Sequence, residues 1–305
     1  MRDLPKGRDL LFQLMLNVGI TLAISLVISG VFSFTGFFES QFFRPSQNVF
    51  NDFEDLQIPF QQCAFNSADG TELHGYFIPA MNGASIDSSP KARSIGTVIH
   101  FHGSDRNISF TAKNSAWLAK HGFNVFAFDY RGYGKSLGKP SRKKLIEDGV
   151  SAIQFVSNHE NVDPTKIVLW GQSMGGQLAI NSAVQSGKTD LVAVIAEATY
   201  SSFSHHVKDK MSNMGPLWLM QWSAWLLTSD QHSAIDSVQS LSPVPLLLVH
   251  GSADNVVMPY QSEWLLREAN EPKQIWRAKG GGHLKVFQSE PNRNLLIEYL
   301  TEALE

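Results

Sequence analysis

Gly171-Gln172-Ser173-Met174-Gly175, followed by Gly176, lies between the apolar run KIVLW and a helical pattern that starts at Met174. This short stretch constrains the fold more than any other in the chain. A serine between glycines two positions away on either side, at a strand-to-helix junction, predicts a very sharp turn. Side chains at 171 and 175 would strike the neighbouring strand and helix. The serine hydroxyl would then project from the edge of a sheet, beside the free N–H groups of a helix N-terminus.

The surrounding pattern agrees. QIPFQQCAF and ELHGYFIPA read as two strands around the turn SADG, an antiparallel hairpin. IGTVIHFH, NVFAFDY, KIVLWGQ, LVAVIAEA and VPLLLVHG are apolar, β-branched runs that read as buried strands, with KQIWRAK as a sheet edge. Helical patterns fall between them, roughly at 110–120, 141–158, 174–186, 261–269 and 292–304. The alternation predicts an α/β fold, a mostly parallel sheet covered by helices on both faces. Ligands of such sheets bind beyond the carboxyl ends of the strands.

Two further residues fall at strand ends in the order that a serine nucleophile of this kind needs. Asp254 follows VPLLLVHG, and His283 follows three glycines in KGGGHLKVF. Ser173 is expected as nucleophile, His283 as general base and Asp254 as its orienting acid. Asp230 and Asp236 are weaker rivals, with no buried strand leading into them. His205 and His206 fall between nucleophile and acid and read as cap residues. The backbone N–H groups of Ser104, after the HG turn, and of Met174 are expected to form the oxyanion hole. His102 is read as shaping that turn, and Arg131 in DYRGYGKS as bracing its loop by ion pairing.

HFHGS, DYRGYGKS, GQSMGG, HGSADNVV and GGGH, in this order, resemble the α/β-hydrolase superfamily. The chain is most similar to its single-pass, membrane-anchored branch, related to monoacylglycerol and lysophospholipid lipases and to acyl-protein thioesterases. The resemblance covers about residues 58–304. It implies a serine hydrolase acting on carboxylic esters or thioesters of lipid-like acyl groups. An acylaminopeptidase-type peptidase uses the same triad, and a non-catalytic binding protein could keep the same fold. Ser104 stands where many relatives carry Asn after HG. The backbone amide survives that change.

The N-terminus carries a second signal. Leu10 to Phe32 is an uncharged run of 23 residues. As a helix it reaches roughly 34 Å, enough to cross a hydrocarbon core of about 30 Å. It lacks the short apolar region and small-x-small site of a cleaved signal. The expected organisation is a cytoplasmic N-terminus (1–9), a transmembrane signal anchor (10–34), a connector (35–57) and a hydrolase domain (58–305) with a helical cap at about 200–242. Arg2, Lys6 and Arg8 precede the span, and Arg44 is the first basic residue after it. That asymmetry predicts an extracytoplasmic, periplasmic catalytic domain. Phe32, Phe34, Phe37, Phe38, Phe42 and Phe43 would form an interfacial aromatic belt.

In the cap, Trp218, Trp222 and Trp225 recur at i, i+4 and i+7, an aromatic helical face expected to line an acyl pocket or to dip into lipid. The lone Cys63 reads as a small strand hydrophobe. The formal net charge of −3 offers no basic surface for nucleic acid. No metal site and no phosphate loop is evident, so no cofactor is expected. The partners implied are a lipid or other acyl substrate and the membrane.

Overall fold

The computed structural model describes residues 7–34, 42–50, 57–81 and 94–305. Its centre is an eight-stranded sheet. In chain order the strands are β1 (Gln61–Asn66), β2 (Glu72–Ile78), β3 (Gly96–Phe101), β4 (Phe123–Asp129), β5 (Ile167–Gln172), β6 (Ala193–Glu197), β7 (Leu246–Gly251) and β8 (Lys273–Ala278). Across the sheet they run β8-β7-β6-β5-β3-β4-β2-β1. The β1–β2 and β2–β4 pairs are antiparallel. All other neighbours are parallel.

The five central strands are buried along their whole length. Successive side chains go to opposite faces. Ile99, Leu169, Val194 and Leu248 join one apolar core, and Val98, Trp170, Ile195 and Leu247 join the other. Period-two alternation with both faces covered explains why these strands read as unbroken apolar runs. Each such Leu, Ile or Val contributes about 1.5–3 kcal/mol by leaving water. The covering helices include α2 (Arg142–Ser157), α3 (Met174–Ser186), α5 (Tyr260–Glu268) and α6 (Glu290–Leu304), and α4 (Phe203–Ser212) lies in the cap. Leu178, Ile180 and Ala183 of α3 belong to the first core, and Leu296, Leu300 and Leu304 of α6 to the second.

Arg131 is held as the sequence led us to expect. It is buried after β4, donates to Asp148 of α2 through Nε at 3.0 Å, and reaches Asp69 of the hairpin turn through Nη1 at 2.8 Å. The loop after β4 is thereby tied to both the sheet edge and a covering helix.

The N-terminal helix α1 (Gly7–Phe34) is, among the described residues, the one helix long and apolar enough to cross a membrane. None of its window Leu11–Ile28 is buried in the protein. It runs beside the cap segment Ala224–Leu227.

Three expectations need correction. The helix expected at 110–120 breaks into Ile108–Thr111, Lys113–Ala116 and a 3-10 turn, Trp117–His121. Asn107 caps the first piece and so starts it early. The tryptophan segment is not one α-helix. A 3-10 helix, Gly215–Ser223, opens with Pro216 and passes into Ala224–Leu227. Three residues per turn spoils the i, i+4, i+7 face. Finally, Phe42 and Phe43 are not in an interfacial belt. Phe43 is buried in the first core, and Phe42 packs edge-on against Phe203 at 5.8 Å. Phe37 and Phe38 lie outside the described residues. Cys63 sits in β1, half-buried rather than in the core.

Candidate active site

Ser173 follows β5 and precedes α3, with φ 55° and ψ −117°. Few L-residues occupy this region, and the cost is about 1–3 kcal/mol. The turn is pinned on both sides. Ser173 N–H donates to the carbonyl of Glu197 at 2.9 Å, and its own carbonyl accepts from Thr199 Oγ1 at 2.8 Å. A Cβ at Gly171 would run into the backbone of Gly175, and one at Gly175 into the carbonyl of Phe101. The glycines are therefore required by close approach. The HG turn lies alongside at ordinary packing distance, since a Cβ on Gly103 would sit 3.7 Å from Ser173 Cβ.

Asp254 lies just beyond β7. Its Oδ1 accepts from the backbone N–H groups of Val256 at 2.9 Å and Val257 at 3.0 Å. Its Oδ2 pairs with His283 Nδ1 at 2.8 Å. Burial favours the neutral acid, but His250, His283 and the Val257 amide outweigh it and hold the carboxyl below the usual carboxylate range. The loop that carries His283 is seated by glycine against glycine. A Cβ on Gly251 would collide with Gly281, whose carbonyl accepts from Ala253 N–H at 2.9 Å.

Ser173 and His283 open onto one cavity of about 280 Å³. Ser104 and Met174, whose backbone N–H groups are the expected oxyanion donors, line it too. Phe42, Tyr200 and Val256 supply apolar surface, and Arg44, Asp105, His206 and Lys210 the polar remainder. Trp218, Trp222 and Trp225 do not line this cavity. They stand exposed on the cap at 54%, 48% and 58%. Asp230 accepts from Ser204 N–H at 2.8 Å inside the cap.

Several residues of this neighbourhood carried no readable role in the sequence. His250, one residue from the end of β7, places Nε2 3.3 Å from Asp254 Oδ2 and 2.9 Å from the carbonyl of Val257. Its Nδ1 meets Ser262 Oγ at 2.6 Å. Nε2 therefore carries the proton and Nδ1 accepts. Behind the turn, Gln172 donates to the buried Glu197 at 2.7 Å and accepts from Asn114 at 3.0 Å. Burial pushes the Glu197 carboxyl up to about 7 against the Gln172 bond that lowers it. His102 shapes its turn as expected. Its Nδ1 donates to the Gly103 carbonyl at 2.7 Å, and burial pulls the ring down to about 3, so it is neutral.

The fold is matched outside this chain. Residues 92–231 match the family model described as serine aminopeptidase, S33. The uncharacterized protein YfhR of Escherichia coli K12 is 35% identical over 247 residues, covering 80% of this chain and 81% of that one. The chain belongs to the α/β-hydrolase superfamily. Protein bem46 of Schizosaccharomyces pombe is a more distant relative, 26% identical, covering 79% of this chain and 77% of that protein. Among solved structures, an esterase of Pyrococcus furiosus superposes with a TM-score of 0.66 at 21% identity, covering 86% of this hydrolase and 97% of the esterase.

Proposed function

We propose that this hydrolase is a membrane-anchored serine esterase or thioesterase that cleaves lipid-like acyl substrates through an acyl-enzyme on Ser173. The observation that carries the reading is the shared cavity. A serine held at φ 55° at a helix N-terminus faces the same space as an imidazole whose far nitrogen is bonded to a buried carboxylate. His283 Nε2 takes the Ser173 proton as Oγ attacks the acyl carbonyl, then passes it to the leaving oxygen or sulfur. Asp254 fixes the tautomer with Nδ1 protonated and stabilises the imidazolium. The N–H groups of Ser104 and Met174 receive the negative oxygen of the tetrahedral intermediate. Water, activated by the same imidazole, then releases the acid.

Phe42, Met174, Tyr200 and Val256 offer an acyl chain an apolar wall. Met214, Trp218, Leu219, Trp222, Trp225 and Leu226 are exposed apolar residues of the cap, whose segment Ala224–Leu227 runs beside α1. We place both in the same bilayer interface, with the N-terminus cytoplasmic and the catalytic face extracytoplasmic.

The family model's description raises a second reading, an aminopeptidase. A free α-amino group needs an unneutralised carboxylate in the site. Among the described residues the cavity is lined by one carboxylate, Asp105, which stands 3.5 Å from Arg106. Hydrolysis of p-nitrophenyl acyl esters and acyl thioesters against aminoacyl-arylamides separates the two. Turnover of esters or thioesters alone is expected, and turnover of arylamides alone would replace this reading with the peptidase.

A further inference from the structure

Two cations line the catalytic cavity and have no ion-pair partner among the described residues. Arg44 stands on the strand-like pair Arg44–Pro45, which runs parallel to Asp105–Arg106. Its backbone N–H donates to the Ser104 carbonyl at 2.9 Å, so it is strapped to the expected oxyanion loop. Lys210 comes from a different element, the cap helix Phe203–Ser212. Both line the cavity with Ser173 and His283. Neither forms an ion pair among the described residues.

The surrounding groups do not neutralise them. Asp105 is turned to Arg106 at 3.5 Å. Asp209, next to Lys210, accepts from Gln261 at 2.8 Å and from Tyr260 Oη. His206, also on the cavity wall, is pulled down to about 3 by burial and carries no charge, and its buried Nδ1 has no partner among the described residues. Burial, and after it the field of Arg44, draws the Lys210 ammonium below its ordinary value. Apolar Phe42 and Tyr200 wall the same space and lower the local dielectric, which strengthens attraction for an incoming charge.

We infer that Arg44 and Lys210 form an anion subsite, which makes the preferred substrate an acyl ester bearing a phosphate or carboxylate near its scissile bond. The inference rests on the esterase reading above and gives it a substrate class. The acyl chain lies along the Phe42 and Tyr200 wall, its carbonyl meets Ser173, and the anionic part of the alcohol sits between the two cations. An arginine and a lysine from separate elements suit an oxyanion that each can contact separately.

The test uses the full-length protein in neutral detergent with three esters of one acyl chain. The alcohols are glycerol, glycerol phosphate and a hydroxy-carboxylate. At low salt, kcat/KM for at least one anionic ester is expected to exceed that for the neutral ester by about 10- to 100-fold, as two charge-assisted contacts would give. The phosphate and carboxylate arms tell which anion is taken. Rising salt should shrink the ratio, a readout that needs no variant. Arg44→Gln with Lys210→Gln should bring it to within about twofold of unity. Equal kcat/KM on all three esters, from protein whose Ser173 still reacts with a fluorophosphonate, overturns the anion subsite and leaves the esterase reading intact. No turnover and no labelling would overturn the esterase reading itself.

Discussion

His250 places Nε2 3.3 Å from Asp254 Oδ2, the oxygen that also binds His283 Nδ1 at 2.8 Å. The orienting carboxylate thus serves two imidazoles, one buried in the sheet and one in the cavity wall. With the two backbone donors on Oδ1, all of its acceptor directions are used. A carboxylate fixed this way cannot rotate away from His283.

Asp254→Asn is expected to lower kcat by about 10⁴, because the amide stabilises the wrong imidazole tautomer. His250→Phe removes one charge-assisted bond and should lower kcat by about tenfold with KM unchanged. Ester hydrolysis by the two purified variants measures both. A His250→Phe enzyme with wild-type kcat would show that the buried imidazole does no positioning.

Ser173→Gly should abolish turnover and yet stabilise the fold. The wild-type residue sits at φ 55°, a conformation that glycine adopts without the Cβ penalty. The expected gain is about 1–3 kcal/mol, seen as a raised Tm in calorimetry. An unchanged or lowered Tm would mean that the turn stores no strain.

Glu197 sets a pH dependence of stability. Its folded pKa is raised from 4.5 to about 7 by burial. The contribution of such a group is fully present below about 4.5 and is lost as pH rises through about 7. Glu197→Gln cannot ionise, so it should gain stability over wild type from pH 5 to pH 8. Urea melts at several pH values would show a gap that widens with pH. A constant gap would place the Glu197 pKa at its ordinary value.

The fold was legible because its signals are local. Runs such as VIHF and LLLVH are buried on both faces, so burial and β-propensity pointed the same way. Ser173 was legible because its glycines answer to backbone collisions that any sequence making this turn must avoid. The cap was not legible. Trp218, Trp222 and Trp225 fit an α-helical face only if the segment is α-helical, and Gly215-Pro216 opens a 3-10 helix instead. Arg44 and Phe42 reach the cavity through the pairing of Arg44–Pro45 with Asp105–Arg106, a contact across some sixty residues that no local pattern announces. His250 was hidden inside an apolar strand, where its partner four residues on gives no helical or strand-periodic signal.

The cap surface gives a membrane prediction. In full-length protein reconstituted into vesicles, brominated lipids should quench tryptophan fluorescence, and Trp218→Ser, Trp222→Ser and Trp225→Ser together should remove most of that quenching. The three rings are exposed, and Trp225 lies on the segment that runs beside the apolar N-terminal helix, so burial in lipid is the favourable outcome for such a patch. Equal quenching of wild type and triple variant would place the cap in water.

The central claim is that Ser173 is an activated nucleophile. Its most direct test is fluorophosphonate labelling of membranes that carry the full-length protein, with the modified peptide sequenced by mass spectrometry. The account predicts one adduct, on Ser173, absent from Ser173→Ala and strongly slowed in His283→Ala. A folded wild type that stays unlabelled, or an adduct on another residue, would contradict it.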